Sequence, residues 1–568
     1  MFLKVHPYMK IKKANKVPFI TSLEDDFLSG KNKKQKKLFN EVIDAGFDFY
    51  SGKQRDQKFL VYRTPDELKE VFAEAMPEDS TDLPSIINYL RLIGHYSISQ
   101  SDLSYLAFPD SGNSIAALLG DIYGKFLNQN LIAFDRSAPA ATIIEIQLIE
   151  WLRALIGYES KELKQIENLA EVSGMCTTGG HMSNHVATLS ALNCKYPQIK
   201  KDGLSSLDHS PKIVLAGKIG HYSYGAAMHH LGLGNANIIN TDSNDDFTTN
   251  IDALENVLEQ HKDKNDIFMV VAVAGNCRTT GIDNIASIAK ICKKYGIWLH
   301  VDACHGGSLL FSDKLKKRYL MGIEEADSVA LDPHKGLFVA YPCSFVLFKK
   351  RDTLVTFTRY EKEARNGESW DLGYITPFLG SRGFESLKLM LLIKHLGKKR
   401  LSEITEKRQG DALYVESLIA KSGYFVLFND MTFYRMAFVY YPNKIRKQVS
   451  KFTLSDETNQ KIINCIDHYT HTINSELYKE GDICLDEFKL HDIGNQTATN
   501  AKETRFYVMS ITTGNPLLTN ENLKRSLSFL FKKAKRYESA MGKDIVSIIK
   551  SDTYAPKVTK TYGPAGWN

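Results

Sequence analysis

Cysteine is scarce and scattered in this chain: 8 residues among 568, with no CxxC pair. That spacing supports neither a zinc site nor a disulfide framework, and it fits a reducing compartment. A charge excess is missing too. Lys plus Arg number 72 against 66 for Asp plus Glu, and a net charge of +6 on a chain of this size gives no argument for nucleic acid as a partner. No apolar run approaches the length of a membrane span, and the opening MFLKVHPYMKIKK has no uninterrupted apolar core of signal-peptide length. Neither an internal repeat nor a long low-complexity tract is present. The expectation left standing is a cytoplasmic enzyme without a metal, large enough for two or three structural units.

The residues that carry chemistry concentrate between His300 and Lys335. Two apolar runs there lead into charged residues: Ile297-Trp298-Leu299-His300-Val301 ends at Asp302, and Ser328-Val329-Ala330-Leu331 runs on to Lys335. Both read as buried strands meeting loops, the place where an open α/β sheet puts its ligands. A fixed carboxylate and an amine brought to one crevice suit a cofactor with a basic ring nitrogen and an aldehyde. The stretches HVDACHGG and ADSVALDPHKG resemble the group II pyridoxal-phosphate (PLP) dependent amino acid decarboxylases, whose motifs are close to HVDAAxGG and (N/D)PHK. The resemblance covers roughly residues 80 to 535.

That resemblance implies an α/β chain of the fold type I PLP class. A mostly parallel sheet covered by helices is expected, with an N-terminal segment wrapping the partner subunit of a homodimer and a small C-terminal α+β domain. The divisions expected are a Lys-rich extension at 1–65, the partner-wrapping helical segment at 66–155, the PLP-binding domain at 156–400 and the small domain at 401–568. The charge run KNKKQKK at 31–37 reads as a solvated face or arm. Periodicity gives independent support. Ile143, Ile146, Ile149, Glu150 and Arg153 keep helical register with a broad apolar side, and Ile285, Ile288, Ala289 and Cys292 do the same before Gly296 stops a helix. Helix alternating with strand is the rhythm of a sheet covered on both faces.

Site residues follow from the family motifs. Small residues at a helix start can aim several N–H groups at an anion, so Gly179, Gly180 and His181 are expected at the cofactor phosphate. His181 stands where relatives carry a Ser or Thr hydroxyl, which puts its side-chain contact in question. His221, in HYSYGAA, matches the histidine that stacks on the cofactor ring and can hydrogen-bond the substrate carboxylate. His229 and His230, on the following helix, are expected to pack or face water. Asn276 and Cys277 replace the threonines of a GTTxTGxxD segment, and Cys304 replaces a small Ala beside the ring slot. Lys335 is expected to hold the cofactor, a role open to a lysine of lowered pKa, and Asp302 to keep its ring nitrogen protonated. Asp332 and His334 are expected to orient the phosphate and the loop, and Arg382, in GSRG, to return to the phosphate. Phe108 and Pro109 resemble residues that line the substrate pocket. Tyr360, with Tyr374 as rival, is the expected proton donor on a closing loop.

The expected activity is decarboxylation of an L-amino acid to its amine, with a lean to an aromatic one. Relatives that take acidic substrates sometimes carry an Arg near the last strand, where Met509 and Ser510 stand here by register and Arg505 is several residues off. A PLP aldehyde-lyase acting on a phosphorylated sphingoid base and a non-catalytic scaffold of the same fold are the alternatives.

Overall fold

The computed structural model describes residues 26–551 except 29, 31, 217–219, 359, 453, 493–494 and 498–504. Residues 1–25 of the Lys-rich start and the tail YGPAGWN therefore lie outside the described residues. The described part of the 31–37 charge run opens a helix, Lys33–Tyr50, capped by the Asn32 side chain accepting from the Lys34 N–H.

Seven strands build the larger sheet: β1 (Gly174–Thr177), β2 (Lys212–Ala216), β3 (Ile238–Thr241), β4 (Ile267–Val273), β5 (Trp298–Ala303), β6 (Ser328–Leu331) and β7 (Ser344–Phe348), in the order β1-β7-β6-β5-β4-β2-β3. The run from β6 to β3 is parallel, and β7 lies antiparallel between β6 and β1. Every residue of β4, β6 and β7 is buried, which is why these strands read as unbroken apolar text rather than as alternation. Asp302 and Lys335 enter where neighbouring parallel strands end. The Ile285–Tyr295 helix that leads into β5 is capped by Asn284 at its start and closed by Gly296 at φ 63°. The glycine of HVDACHGG at position 306 is a close-approach residue: a Cβ there would stand 2.3 Å from the Ala274 carbonyl oxygen at the end of β4.

A second sheet is antiparallel and four-stranded, built from β8 (Phe425–Leu427), β9 (Arg435–Tyr440), β10 (Asp486–His491) and β11 (Arg505–Thr512) in the order β10-β11-β9-β8. Its core is shared with the Asp456–Glu480 and Asn520–Ser551 helices. The segment expected to wrap a partner also threads into this sheet of its own chain. Leu106 N–H donates to the Cys484 carbonyl at 2.9 Å and its carbonyl accepts from Thr512 N–H at 2.7 Å. That pairing fixes Phe108 and Pro109 at the junction of the two sheets, with the Pro109 Cα so near Gly514 that a Cβ on the glycine would lie 2.5 Å away.

The Ile115–Leu127 helix is amphipathic in an unusual sense. Gly120 packs so closely on the Leu387 carbonyl that a Cβ would sit 3.2 Å from it, while Ile115, Leu119, Tyr123 and Phe126 form an outward stripe with 50–75% of their surface exposed. Glu150 and Arg153, read as part of an amphipathic pattern, are instead both buried. Glu150 holds Arg351 through a 2.9 Å hydrogen bond, and Arg153 is held by the Phe348 and Glu159 carbonyls.

Candidate active site

Asp302 ends β5 inside the protein, and the chain surrounds it with neutral donors. Its Oδ2 accepts from Asn184 Nδ2 at 2.9 Å and from the Tyr224 hydroxyl at 3.2 Å, and its Oδ1 from the Cys304 N–H at 3.1 Å. The orientation of Asn184 follows from its neighbours. His300 Nε2 lies 3.2 Å from Asn184 Oδ1, while Asn184 Nδ2 also donates to Ser223 Oγ at 2.9 Å. Ser223 Oγ sits 2.8 Å from His221 Nδ1, which also accepts the Ser223 N–H, so the His221 proton is on Nε2. One relay thus runs from β5 through the Gly180–Lys195 helix to the ring expected over the cofactor.

Burial pushes both His221 and His300 down to about 4, so both are neutral at pH 7. Burial alone would raise the Asp302 carboxyl, but the charge that His221 and His300 carry at the low pH where it titrates, with the Cys304 N–H and Lys335, outweighs burial and holds the group below its usual range. The result is a lasting carboxylate whose nearest partners are all neutral. Burial also keeps Cys304 a thiol, its pKa well above the ordinary value.

A small cavity is lined by Gly180, His181, Asn184, His221, Asp302 and Lys335, with Asn276, Cys277 and Cys304 among its other walls. The Gly180–Lys195 helix has no side-chain cap, and its first helical hydrogen bond is from Ser183 N–H to the Gly179 carbonyl. The N–H groups of the first turn therefore have no partner of their own within the helix. Gly180 is required: a Cβ there would lie 2.5 Å from Cys304 Sγ and 2.7 Å from Asp332 Oδ2. An anion cradle, an amine and an unmatched carboxylate in one cavity fit PLP. When bound, that cofactor supplies an acceptor for the electrons released at the substrate α-carbon.

Several expectations change. Lys335 does not have a lowered pKa in this state: its Nζ lies 2.8 Å from Asp332 Oδ2, and this buried carboxylate overrides the effect of burial and holds the amine well above its usual range. Asp332, expected at the phosphate, is thus the counter-charge of Lys335, with Ser344 Oγ donating to its other oxygen at 2.6 Å. His334 Nδ1 donates to the Cys343 carbonyl at 2.8 Å and its ring stacks on Tyr341 at 4.2 Å, so it braces the loop. Arg382 is occupied elsewhere, bonded twice to the buried Glu145 at 2.6 and 2.9 Å. Asn276 lines the cavity, but its side chain caps its own turn through Thr279 Oγ1 and the N–H groups of Arg278 and Thr279. Tyr360 and Tyr374 stack on one another at 4.3 Å and neither lines the cavity. His230 is exposed, as expected, and is in addition bonded to His185 at 3.0 Å.

Asn184, Tyr224 and His300 are absent from the expected site residues, although His300 opens HVDACHGG and Tyr224 lies within HYSYGAA. Each is a polar side chain on an apolar strand or helix, the signal that could have marked them, because a buried polar group is retained only with partners.

The fold and the cavity define a fold type I PLP enzyme. The family model described as "Pyridoxal-dependent decarboxylase conserved domain" matches residues 65–441. The chain is 28% identical over 382 residues to an L-aspartate decarboxylase of Metarhizium robertsii, covering 66% of this chain and 73% of that protein. It is 27% identical over 419 residues to the human cysteine sulfinic acid decarboxylase, covering 72% and 81%. A crystal structure of mouse CSAD shares the fold with a TM-score of 0.77 at 23% identity, over 89% of this chain and 99% of that one. The chain belongs to the pyridoxal-dependent decarboxylase family and is a PLP-dependent amino acid carboxy-lyase. No helix among the described residues is long and apolar enough to cross a membrane.

Proposed function

We propose that the chain, as a cytoplasmic homodimer, decarboxylates an L-amino acid with an uncharged side chain, the aromatic ones first. The observation that carries this reading is the state of Arg435. It is buried on β9, with its guanidinium near the Phe108 ring at 5.8 Å and the Phe488 ring at 5.1 Å. Its charge is already matched by an ion pair with Asp486, and its Nε and Nη1 donate to Ser510 Oγ at 2.8 Å and the Cys277 carbonyl at 2.6 Å. A neutralised arginine framed by aromatic rings offers an acidic side chain little and a flat apolar one a wall. The names of the relatives, with L-aspartate and cysteine sulfinic acid among them, support the competing acidic reading.

In this proposal Lys335 holds the cofactor, Asp302 keeps its ring nitrogen protonated, His221 covers the ring, and Gly179, Gly180 and His181 meet the phosphate. The cost of holding that proton is modest. Raising a pyridine by two pKa units needs ~2.7 kcal/mol, and one charge-assisted hydrogen bond contributes roughly 1.5–3 kcal/mol. The exposed stripe on the Ile115–Leu127 helix is the face on which a second copy would dock. The test is to incubate the purified protein with the natural amino acids plus cysteine sulfinate and identify the amines formed. An amine from an aromatic amino acid supports the reading, and turnover confined to aspartate, glutamate or cysteine sulfinate overturns it.

A further inference from the structure

Three imidazoles stand where the helix that begins at Gly180 meets the cavity. His185 Nδ1 lies 2.9 Å from the His181 carbonyl, and a carbonyl only accepts, so His185 carries a proton on Nδ1. Its Nε2 lies 3.0 Å from His230 Nδ1. When His185 is neutral its Nε2 accepts and His230 donates. A proton added to either ring is shared across that bridge, and the two cannot both be charged, since two N–H groups would then face each other. The His181 ring lies 4.5 Å from that of His185, and its Nδ1 is buried with no hydrogen-bond partner.

The surroundings supply little negative charge on this side. Tyr222 lies against His181 at 5.4 Å, the Phe378 ring edge meets His185 at 6.4 Å, and His229 lies beside His230 at 5.7 Å. Across the cavity stand His221, Asp302, Cys304 and Lys335, with Asp302 held by its donors and Asp332 matched by Lys335. Burial and the neighbouring rings hold His181 and His185 below the ordinary imidazole value. The trio is not a metal site, since no cluster able to hold a metal ion occurs among the described residues.

We propose that His181, His185 and His230 form a proton-accepting cluster that gains a proton when the cofactor phosphate binds at the Gly179–His181 turn, so that cofactor affinity strengthens as pH falls. The inference rests on placing the phosphate at that turn. A dianion there is the counter-charge the rings lack. It raises their proton affinity, and by linkage the proton strengthens phosphate binding by the same factor. The sign follows: the gain is present at pH values below the free-state titration of His181 and His185 and is lost as pH rises through their bound-state value. A rise of about tenfold in the proton affinity of the rings therefore brings about tenfold in affinity for the phosphate.

The probe is 4′-deoxypyridoxine 5′-phosphate, which has the phosphate but no aldehyde to react with Lys335. Calorimetry in buffers of different ionisation heat reads proton uptake on binding, and dissociation constants between about pH 6 and pH 8 read the linkage. His181→Ser and the surface variant His230→Asn are compared with the wild type, which cancels the titration of the phosphate itself. Wild-type binding should take up more protons than either variant, and its affinity should fall more steeply with rising pH, by up to about tenfold. If His181→Ser alters affinity equally at all pH values with uptake unchanged, the phosphate is at the turn but the cluster does not charge, and the inference fails. If both variants match the wild type in affinity and uptake, the rings do not sense the phosphate and the inference fails; if Gly180→Ala also leaves the affinity unchanged, the phosphate lies elsewhere and the placement itself fails.

Discussion

Asp302 is a buried carboxylate and Asp486 a half-buried one, and they have opposite standing. Around Asp302 the donors are an amide, a phenol and a backbone N–H, none of which carries charge. Asp486 is ion-paired with the Arg435 guanidinium. Neutral donors stabilise a carboxylate without cancelling its field, whereas a cation consumes it. Asp302 therefore remains able to bind a proton-bearing ring nitrogen. Asp486 is spent, and it spends Arg435 with it. Asp332 belongs with Asp486, since Lys335 lies 2.8 Å away, but that pair differs in one respect: Lys335 is the residue that would hold the cofactor, so its pairing with Asp332 would be open to change when the cofactor binds.

The contrast breaks most severely at Asp302. Asp302→Asn keeps the size and can still hydrogen-bond, but an amide cannot balance a pyridinium. The variant is expected to bind PLP, seen by its absorbance, while kcat falls about a hundredfold or more, the equivalent of two pKa units at the ring nitrogen. A kcat near that of the wild type would remove the charge argument.

At the other carboxylate the same change acts differently. Asp486→Asn leaves the buried Arg435 without its counter-charge, and breaking a buried pair on one side costs about 3–5 kcal/mol. The midpoint of denaturant unfolding should drop accordingly. The freed guanidinium should also improve KM for an acidic amino acid relative to an aromatic one. A variant of unchanged stability and unchanged substrate preference would show that Arg435 was never held by charge.

Much of the fold and of the site is legible in the sequence alone. Asp302 and the β6 strand ahead of Lys335 lie where the apolar runs end, because strands buried on both faces write themselves as unbroken hydrophobic text. The parallel order of the sheet follows from helix and strand alternation. The partners of the charges are not legible. Arg382 and Glu145 are 237 positions apart in sequence, and Arg435 and Asp486 are 51 apart. No periodicity reports such a pairing, since it is set by tertiary packing: Glu145 lies on the Pro139–Ile156 helix and Arg382 ahead of the Ser386–Ser422 helix, while Arg435 and Asp486 lie on two strands of the second sheet. The same holds for His230, which is exposed as its place on the helix suggests, but whose bond to His185 is set by tertiary packing.

The smallest expected effect concerns Tyr360, and it appears as a change of product more than of rate. Once carbon dioxide has left, the α-carbon must receive a proton, and a loop tyrosine could supply it while keeping water out. In this structure Tyr360 is stacked on Tyr374 at 4.3 Å with 18° between the rings, so the two rivals are held as one unit away from the cavity. A loop movement that delivers one must unstack or carry the other, which makes the paired variants informative. If Tyr360 is the acid, Tyr360→Phe should bind substrate and release carbon dioxide but yield less amine, with a carbonyl product making up the difference, while Tyr374→Phe keeps amine and carbon dioxide equal. Quantifying both products for each variant decides it. Equal amounts from Tyr360→Phe with a shortfall from Tyr374→Phe would move the role to Tyr374, and equal amounts from both would assign the proton to a group outside this pair.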